Sequence, residues 1–252
     1  MPTVRNMKRT KVIVAIIFSA AIIAAVWIGG YYLNKARGHA KTVSVVGMAE
    51  RDFTSDLIVW RLSYSVLNYD MKQGYTEIKN INNTVREYLK GKGISDEEMD
   101  FLAIDSEKET EYHWDQSAKR GYNTFVGYRL RQSIKIESND VDKVEQISRN
   151  ISELLDKGIE LDNNYLNYYY TKLSDLKIEM LAEATDNARN RAKTIAKSAG
   201  SRLGGLQTAN MGVFQITAPN SADEDYSWGG TFNTTSKKKR ASINMRLTYY
   251  VK

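Results

Sequence analysis

Residues 122–158 read YNTFVGYRLRQSIKIESNDVDKVEQISRNISELLDKG, and a change of period inside this stretch decides the fold class. In the first half Val126, Tyr128, Leu130, Ile134 and Ile136 fall on one side of an extended chain. Arg129, Arg131, Ser133 and Lys135 fall on the other, the alternation of a half-buried strand. Asp140 is suited to cap a helix, after which Val144, Ile147, Ile151 and Leu154 recur every three or four positions until Gly158. A strand with one apolar face thus leads directly into a helix with one apolar stripe, and each needs the other kind of element to cover it.

The same reading extends in both directions. Towards the N-terminus, residues 101–114 form a partner strand, joined to residues 122–137 around 117–121. Ser95-Asp96-Glu97-Glu98 has capping-box form and predicts a short helical turn. Met71, Tyr75, Ile78, Ile81, Val85 and Leu89 mark a helix over residues 70–90, stopped at Gly91-Lys92-Gly93. Residues 42–50 and 56–68 alternate as strands, the second with Ile58, Trp60, Leu62, Tyr64 and Val66 on one face. Towards the C-terminus, a strand at 159–171 precedes a long helix at 175–199, expected to bury Leu176, Met180, Ala184, Ala188 and Ile195. Strands at 206–217 and 241–251 finish the chain, with Ser-, Asn- and Gly-rich residues 218–240 expected to be a mobile loop between them. The order is ββαββαβαββ, which predicts an α+β domain with helices packed on largely antiparallel sheet.

The N-terminus differs in kind. Residues 12–33 contain no charge and hold six Ile, three Val and five Ala among 22 residues. At roughly 1.5 Å per residue they match a hydrocarbon layer of about 30 Å. Trp27, Tyr31 and Tyr32 sit near one end and Lys8-Arg9-Thr10-Lys11 at the other. The expectation is a basic tail over residues 1–11, a transmembrane anchor over 12–33, a linker over 34–41 and the domain over 42–252. The alternative is a cleaved signal peptide. Against it, the apolar run exceeds the usual core of about 7–15 residues. The best small-residue cleavage candidate, Gly38-His39-Ala40, lies beyond Lys35 and Arg37. Either reading exports the domain, and the basic bias prefers a cytoplasmic N-terminus, a single pass through the inner membrane and an extracytoplasmic domain.

Charge and composition narrow the function. Residues 1–41 hold seven Lys/Arg and no acid, which leaves 29 basic and 30 acidic residues in 42–252. The overall +6 therefore belongs to the anchor's flanks, and a domain with a net charge of −1 lacks the basic footprint of nucleic-acid binding. There is no cysteine, so thiol catalysis, thiolate metal sites and disulfides are excluded. No nucleophile elbow, phosphate loop or metal-ligand spacing occurs. His113 beside Glu111 and Asp115 is the one arrangement that an enzyme or metal site would have to use, and a solvated strand end explains it as well. No catalytic residue, cofactor or metal is assigned on this reading.

Two clusters suggest contacts instead. Tyr165, Tyr168, Tyr169 and Tyr170 occupy both faces of a strand, as packing under helices or a subunit interface would require. Tyr226 and Trp228, followed by Lys237, Lys238, Lys239 and Arg240, lie in the expected loop and suit a partner or lipid phosphates.

Several segments resemble the SIMPL-domain family. They are Val43-Ser44-Val45-Val46-Gly47; Asp56 opening a strand, with Ser55 where the family usually has Pro; Gly127-Tyr128 with Gln132, Ile134 and Ile136, leading into Asp140 and Val144; the Ala- and Arg-rich helix 184–199 ending in Gly200; Leu203-Gly204; and the alternating C-terminal strand. The resemblance covers about residues 42–252. It implies an exported or periplasmic setting, links to stress resistance or immunogenicity in some members, and large ring-like oligomers in one type. It carries over no catalytic residue set. The combined expectation is a membrane-anchored, homo-oligomeric, non-enzymatic scaffold or stress-protective envelope protein. A ligand- or partner-binding module for an envelope protein or cell-wall component is the alternative, and a hydrolase or metal enzyme using His113 is the third reading.

Overall fold

The structure, a computed structural model, describes residues 4–36, 41–220 and 229–252. The elements are α1 (Val4–Ala36), β1 (Thr42–Thr54), β2 (Leu57–Asn68), α2 (Met71–Gly91), β3 (Met99–Phe101), β4 (Asp105–Asp115), β5 (Arg120–Ser138), α3 (Val141–Arg149), β6 (Asn163–Tyr169), α4 (Leu173–Ser198), β7 (Leu203–Met211), β8 (Gln215–Thr217) and β9 (Lys238–Val251). The α+β class is as expected, with antiparallel pairing and four helices among the described residues. Backbone contacts divide the chain into two units, one of residues 46–189 and 210–246, the other of residues 1–45, 190–209 and 247–252.

The larger unit contains a five-stranded antiparallel sheet in the order β3-β5-β2-β6, with β4 also on β5. Its core follows from alternation. Ile58, Trp60, Leu62, Tyr64 and Val66 of β2 share one face with Leu130, Ile134 and Ile136 of β5. Against them lie Ile78, Val85 and Leu89 of α2 and Val144 and Ile147 of α3. The opposite face is polar, with Arg131–Asp162 and Lys135–Glu137 ion pairs. Asp70 caps α2 by accepting from Lys72 N and Gln73 N, and Asp140 caps α3 by accepting from Lys143 N. A second apolar cluster joins Ala49, Leu176, Met180, Ala184, Ala241 and Ile243. There Gly47 admits close approach, since a Cβ would lie 2.1 Å from Ala184 O and 2.4 Å from Ala188 N. The smaller unit buries Val45, Ala192, Ala196, Leu247 and Tyr249.

Several expectations are corrected. The strand expected over 101–114 is divided into β3 and β4. Gln132 lies fully buried on the apolar face, and its Nε2 donates to Leu102 O at 2.7 Å, drawing that carbonyl out of strand pairing. The helix expected through Leu154 ends at Arg149 and continues as a 3-10 turn over Ile151–Lys157, with Tyr88 Oη donating to Asn150 O. The strand expected from 159 begins at Asn163, because Ile159 N still bonds Leu154 O at the turn's end. The strand expected over 206–217 is split into β7 and β8 around Gly212, whose N–H bonds Asn244 O. On α4 the buried stripe steps strictly by four through Ala184, Ala188, Ala192 and Ala196, leaving Ile195 48% exposed.

α1 is a single helix of 33 residues. Its described large apolar side chains are well exposed, Phe18 at 67%, Val26 at 69% and Trp27 at 78% among them. Among the described residues no helix is long and apolar enough to cross a membrane. The anchor expected over 12–33 therefore rests on the sequence.

Candidate interaction surface

Tyr165, Tyr168 and Tyr169 fall on β6, the terminal strand of the five-stranded sheet, and Tyr170 follows it directly. The cluster's four members divide. Tyr168 is buried at 6% and its N–H donates to Thr234 O at 2.7 Å. Tyr170 packs on Phe53 with ring centroids 4.8 Å apart. Tyr169 is half-buried, and Tyr165 is 63% exposed beside the open side of the strand. Burial pushes the Tyr168 hydroxyl's pKa up, with the nearby Glu145 carboxylate adding to the shift. Tyr165 is thus the most exposed member of the cluster.

Of the expected loop over 218–240, Tyr226 and Trp228 lie outside the described residues. The segment after them is stitched in place. Phe232 bridges Ile216 in parallel, Asn233 N donates to Ile216 O at 2.9 Å, and Ser55 N donates to Lys237 O at 2.9 Å. The last bond needs Ser55, because the proline usual in the family has no N–H to give. Lys237 ion-pairs Asp142 and Glu145. Lys239 is 1% exposed and its Nζ donates to Asn233 O at 2.5 Å, while Arg240 grips Asp52 at 2.6 and 2.9 Å. Lys238–Arg240 already belong to β9. Only Lys238 of the basic run is exposed, so the run is not a free lipid-binding patch. Sequence spacing showed four adjacent cations but not their remote partners.

His113 does not gather a reaction centre. Its Nε2 is 3.6 Å from Glu111 Oε2, and its ring lies 5.5 Å from that of Tyr122. Asp115 turns instead to the loop, accepting from Ser117 N at 2.8 Å and Ala118 N at 3.0 Å. Among the described residues no group of three His, Cys, Asp or Glu is placed to hold a metal ion.

The surface that sequence reasoning missed is the β4–β5 ribbon. β2 pairs β5 only over residues 128–138, so residues 110–115 and 120–125 pair with each other alone. A bulge between Glu109 and Thr110 leaves Val126 unpaired and re-aims the ribbon. Tyr112, Trp114 and Tyr122 are 63%, 57% and 53% exposed. Tyr112 lies across Gly121, where a Cβ would be 2.0 Å from its hydroxyl. At the base, Arg129 holds Glu109 through two hydrogen bonds and keeps that carboxyl's pKa below its usual value. The Tyr112, Trp114 alternation was the signal available in the sequence.

An antiparallel α+β domain with these strand motifs defines a class of packed, sheet-based domains. The profile of the SIMPL family, described as a protein of unknown function (DUF541), matches residues 43–246, and the chain belongs to that family. No curated protein matches the chain. The residues that carry the resemblance are packing positions: Gly47 under α4, Gln132 in the core, Asp140 at a cap. Asp56 accepts from Thr171 N and Oγ1 at 2.7 and 2.8 Å.

Proposed function

We propose that this SIMPL protein is tethered to the inner membrane through residues 12–33 and that its domain self-associates outside the cytoplasm, as a non-enzymatic scaffold or stress-protective element of the envelope. The observation that carries self-association is the stretch of β6 ahead of Tyr168, where Tyr165 is exposed and where, among the described residues, β2 is the only strand paired with β6. Unpaired strand edges are templates for pairing, and tyrosine supplies apolar area with a polar tip. The tether is supported by the uncharged run and by apolar side chains on α1 that remain exposed from Ile13 to Tyr32. Water is a poor solvent for such a surface and lipid a good one. Lys8, Arg9 and Lys11 favour the cytoplasmic side.

Multi-angle light scattering on the full chain in detergent tests the reading. The expected mass is a multiple of the 28.7 kDa chain, reduced to one chain by Tyr165→Lys. A strict monomer for the unaltered protein at high concentration removes self-association, and full extraction of the chain from membranes by carbonate removes the tether.

A further inference from the structure

We infer that the tip of the β4–β5 ribbon is a second, independent membrane contact, in which Tyr112, Trp114 and Tyr122 settle among headgroups while Lys119 and Arg120 meet the phosphates of anionic lipid. This goes beyond the tether and does not require it. Beyond Tyr128 the ribbon has two strands, and residues 116–124 at its end are all exposed. A two-stranded hairpin is marginal in water by itself, yet this one ends in three large aromatic side chains, each more than half exposed. Tyrosine and tryptophan are the residues that favour the lipid–water boundary, apolar body inward and polar atom outward.

Charge selects the occupant. Residues 112–122 hold Lys119 and Arg120 against one acid, Asp115, whose carboxylate is engaged by two loop N–H groups. Both basic residues are exposed, and among the described residues neither has an ion-pair partner. Lower on the same ribbon the charges are mixed, Asp105, Glu107, Glu109 and Glu111 set among Lys108, Arg129 and Arg131, with Glu109 held by Arg129. An anionic surface therefore attracts the end and finds no net positive charge along the shaft, which favours an upright ribbon on the bilayer. A second copy added along β4 is disfavoured by the carboxylates of that strand and by the bulge, the usual guards of an open edge. Lys119 holds φ 48 in the turn, so its side chain leaves from a tight loop.

The chain has no cysteine, so a single nitroxide on Gln116→Cys reports on the tip in the full-length protein reconstituted in phosphatidylglycerol-containing vesicles. Ser106→Cys reports on the shaft and Ala20→Cys on the tether. The expected result is a label at 116 shielded from an aqueous relaxation agent and open to oxygen, with the label at 106 in water. Lys119→Gln with Arg120→Gln, both exposed and outside the core, should lower the ratio of inserted to free tips by about 25-fold, since each basic residue contributes about five-fold at an anionic surface. A label at 116 that stays in water overturns the inference, whatever the label at 20 shows. A shielded label at 116 with strong coupling to a second spin also overturns it, and identifies another copy as the occupant. A water-exposed label at 20 beside a shielded one at 116 removes the tether and leaves the tip.

Discussion

Lys237 Nζ lies 2.9 Å from Glu145 Oε2, fastening the segment before β9 to helix α3 across 92 positions of sequence. Asp142 completes the clasp from the other side of the ammonium. Both members of the Lys237–Glu145 pair are largely covered, with side-chain exposures of 24% and 19%. The contact therefore acts in a less screened setting than the surface pairs.

The clasp makes stability depend on pH in a definite direction. Lys237, and after it Arg149, holds the Glu145 carboxyl's pKa below its ordinary value. The unfolded chain thus takes up a proton before the folded one as pH falls. Stabilisation is fully present above the unfolded glutamate value of about 4.3 and is lost as pH drops through the folded value. Lys237→Met is expected to cost about 1–2 kcal/mol at neutral pH and to flatten the acid limb of a denaturation series. An unchanged acid limb would show that the pair contributes nothing.

Gly47 is expected to tolerate no side chain. A Cβ there meets the backbone of α4, not the flexible end of a neighbour. Gly47→Ala should destabilise the domain by about 1–3 kcal/mol or more, whereas Val46→Ala, at a site 39% exposed, should change little. Urea melts of the two variants decide it, and equal midpoints would contradict the packing.

Gln132 should resist replacement by an apolar residue of similar size. Its Oε1 accepts from Asn82 Nδ2 at 2.9 Å, and Asn82 Oδ1 accepts in turn from Tyr64 Oη at 2.7 Å. Gln132→Leu orphans Leu102 O and Asn82 Nδ2 and is expected to cost about 1–3 kcal/mol. Hydrogen exchange should quicken first around residues 99–105; uniform loss of protection would show that the break between β3 and β4 has another cause.

Tyr165 and Tyr168 should separate assembly from folding. Tyr168→Ala empties a buried site and is expected to lower stability by about 3 kcal/mol. Tyr165→Lys should leave the thermal midpoint near that of the unaltered chain while shifting the mass by light scattering. Loss of folding in both, or in neither, would contradict this division of the cluster.

How far sequence reading reached depended on distance along the chain. The helices, their Asp70 and Asp140 caps and the inward residues of β2 and β5 were legible, because each is stated by spacing within a few turns or strand repeats. The interruptions were not. Strand 101–114 carries no breaker residue at its division, and the cause is a buried amide 30 positions away on β5. Ile195 fits an average helical stripe, yet the smaller Ala192 and Ala196 are the residues buried. The candidate contact surface was legible only as composition. Four tyrosines were visible, but not that Tyr168 and Tyr170 turn to packing while Tyr165 stays outside.

By itself the sequence determined the kinds of elements, their order, the caps that start the helices, the charge-free run over residues 12–33 and the balanced charge of residues 42–252. These are local quantities, set by side-chain period and backbone preference. Only the tertiary structure decided that β3, β5, β2 and β6 pair in that order, that Lys237, Lys239 and Arg240 are spent on internal partners, and that β4 and β5 run past their sheet into an aromatic tip. Each of these depends on pairings between distant positions, such as Arg240 with Asp52 across 188 residues. Such pairings follow from competition among all possible registers and partners, which no short window of residues contains.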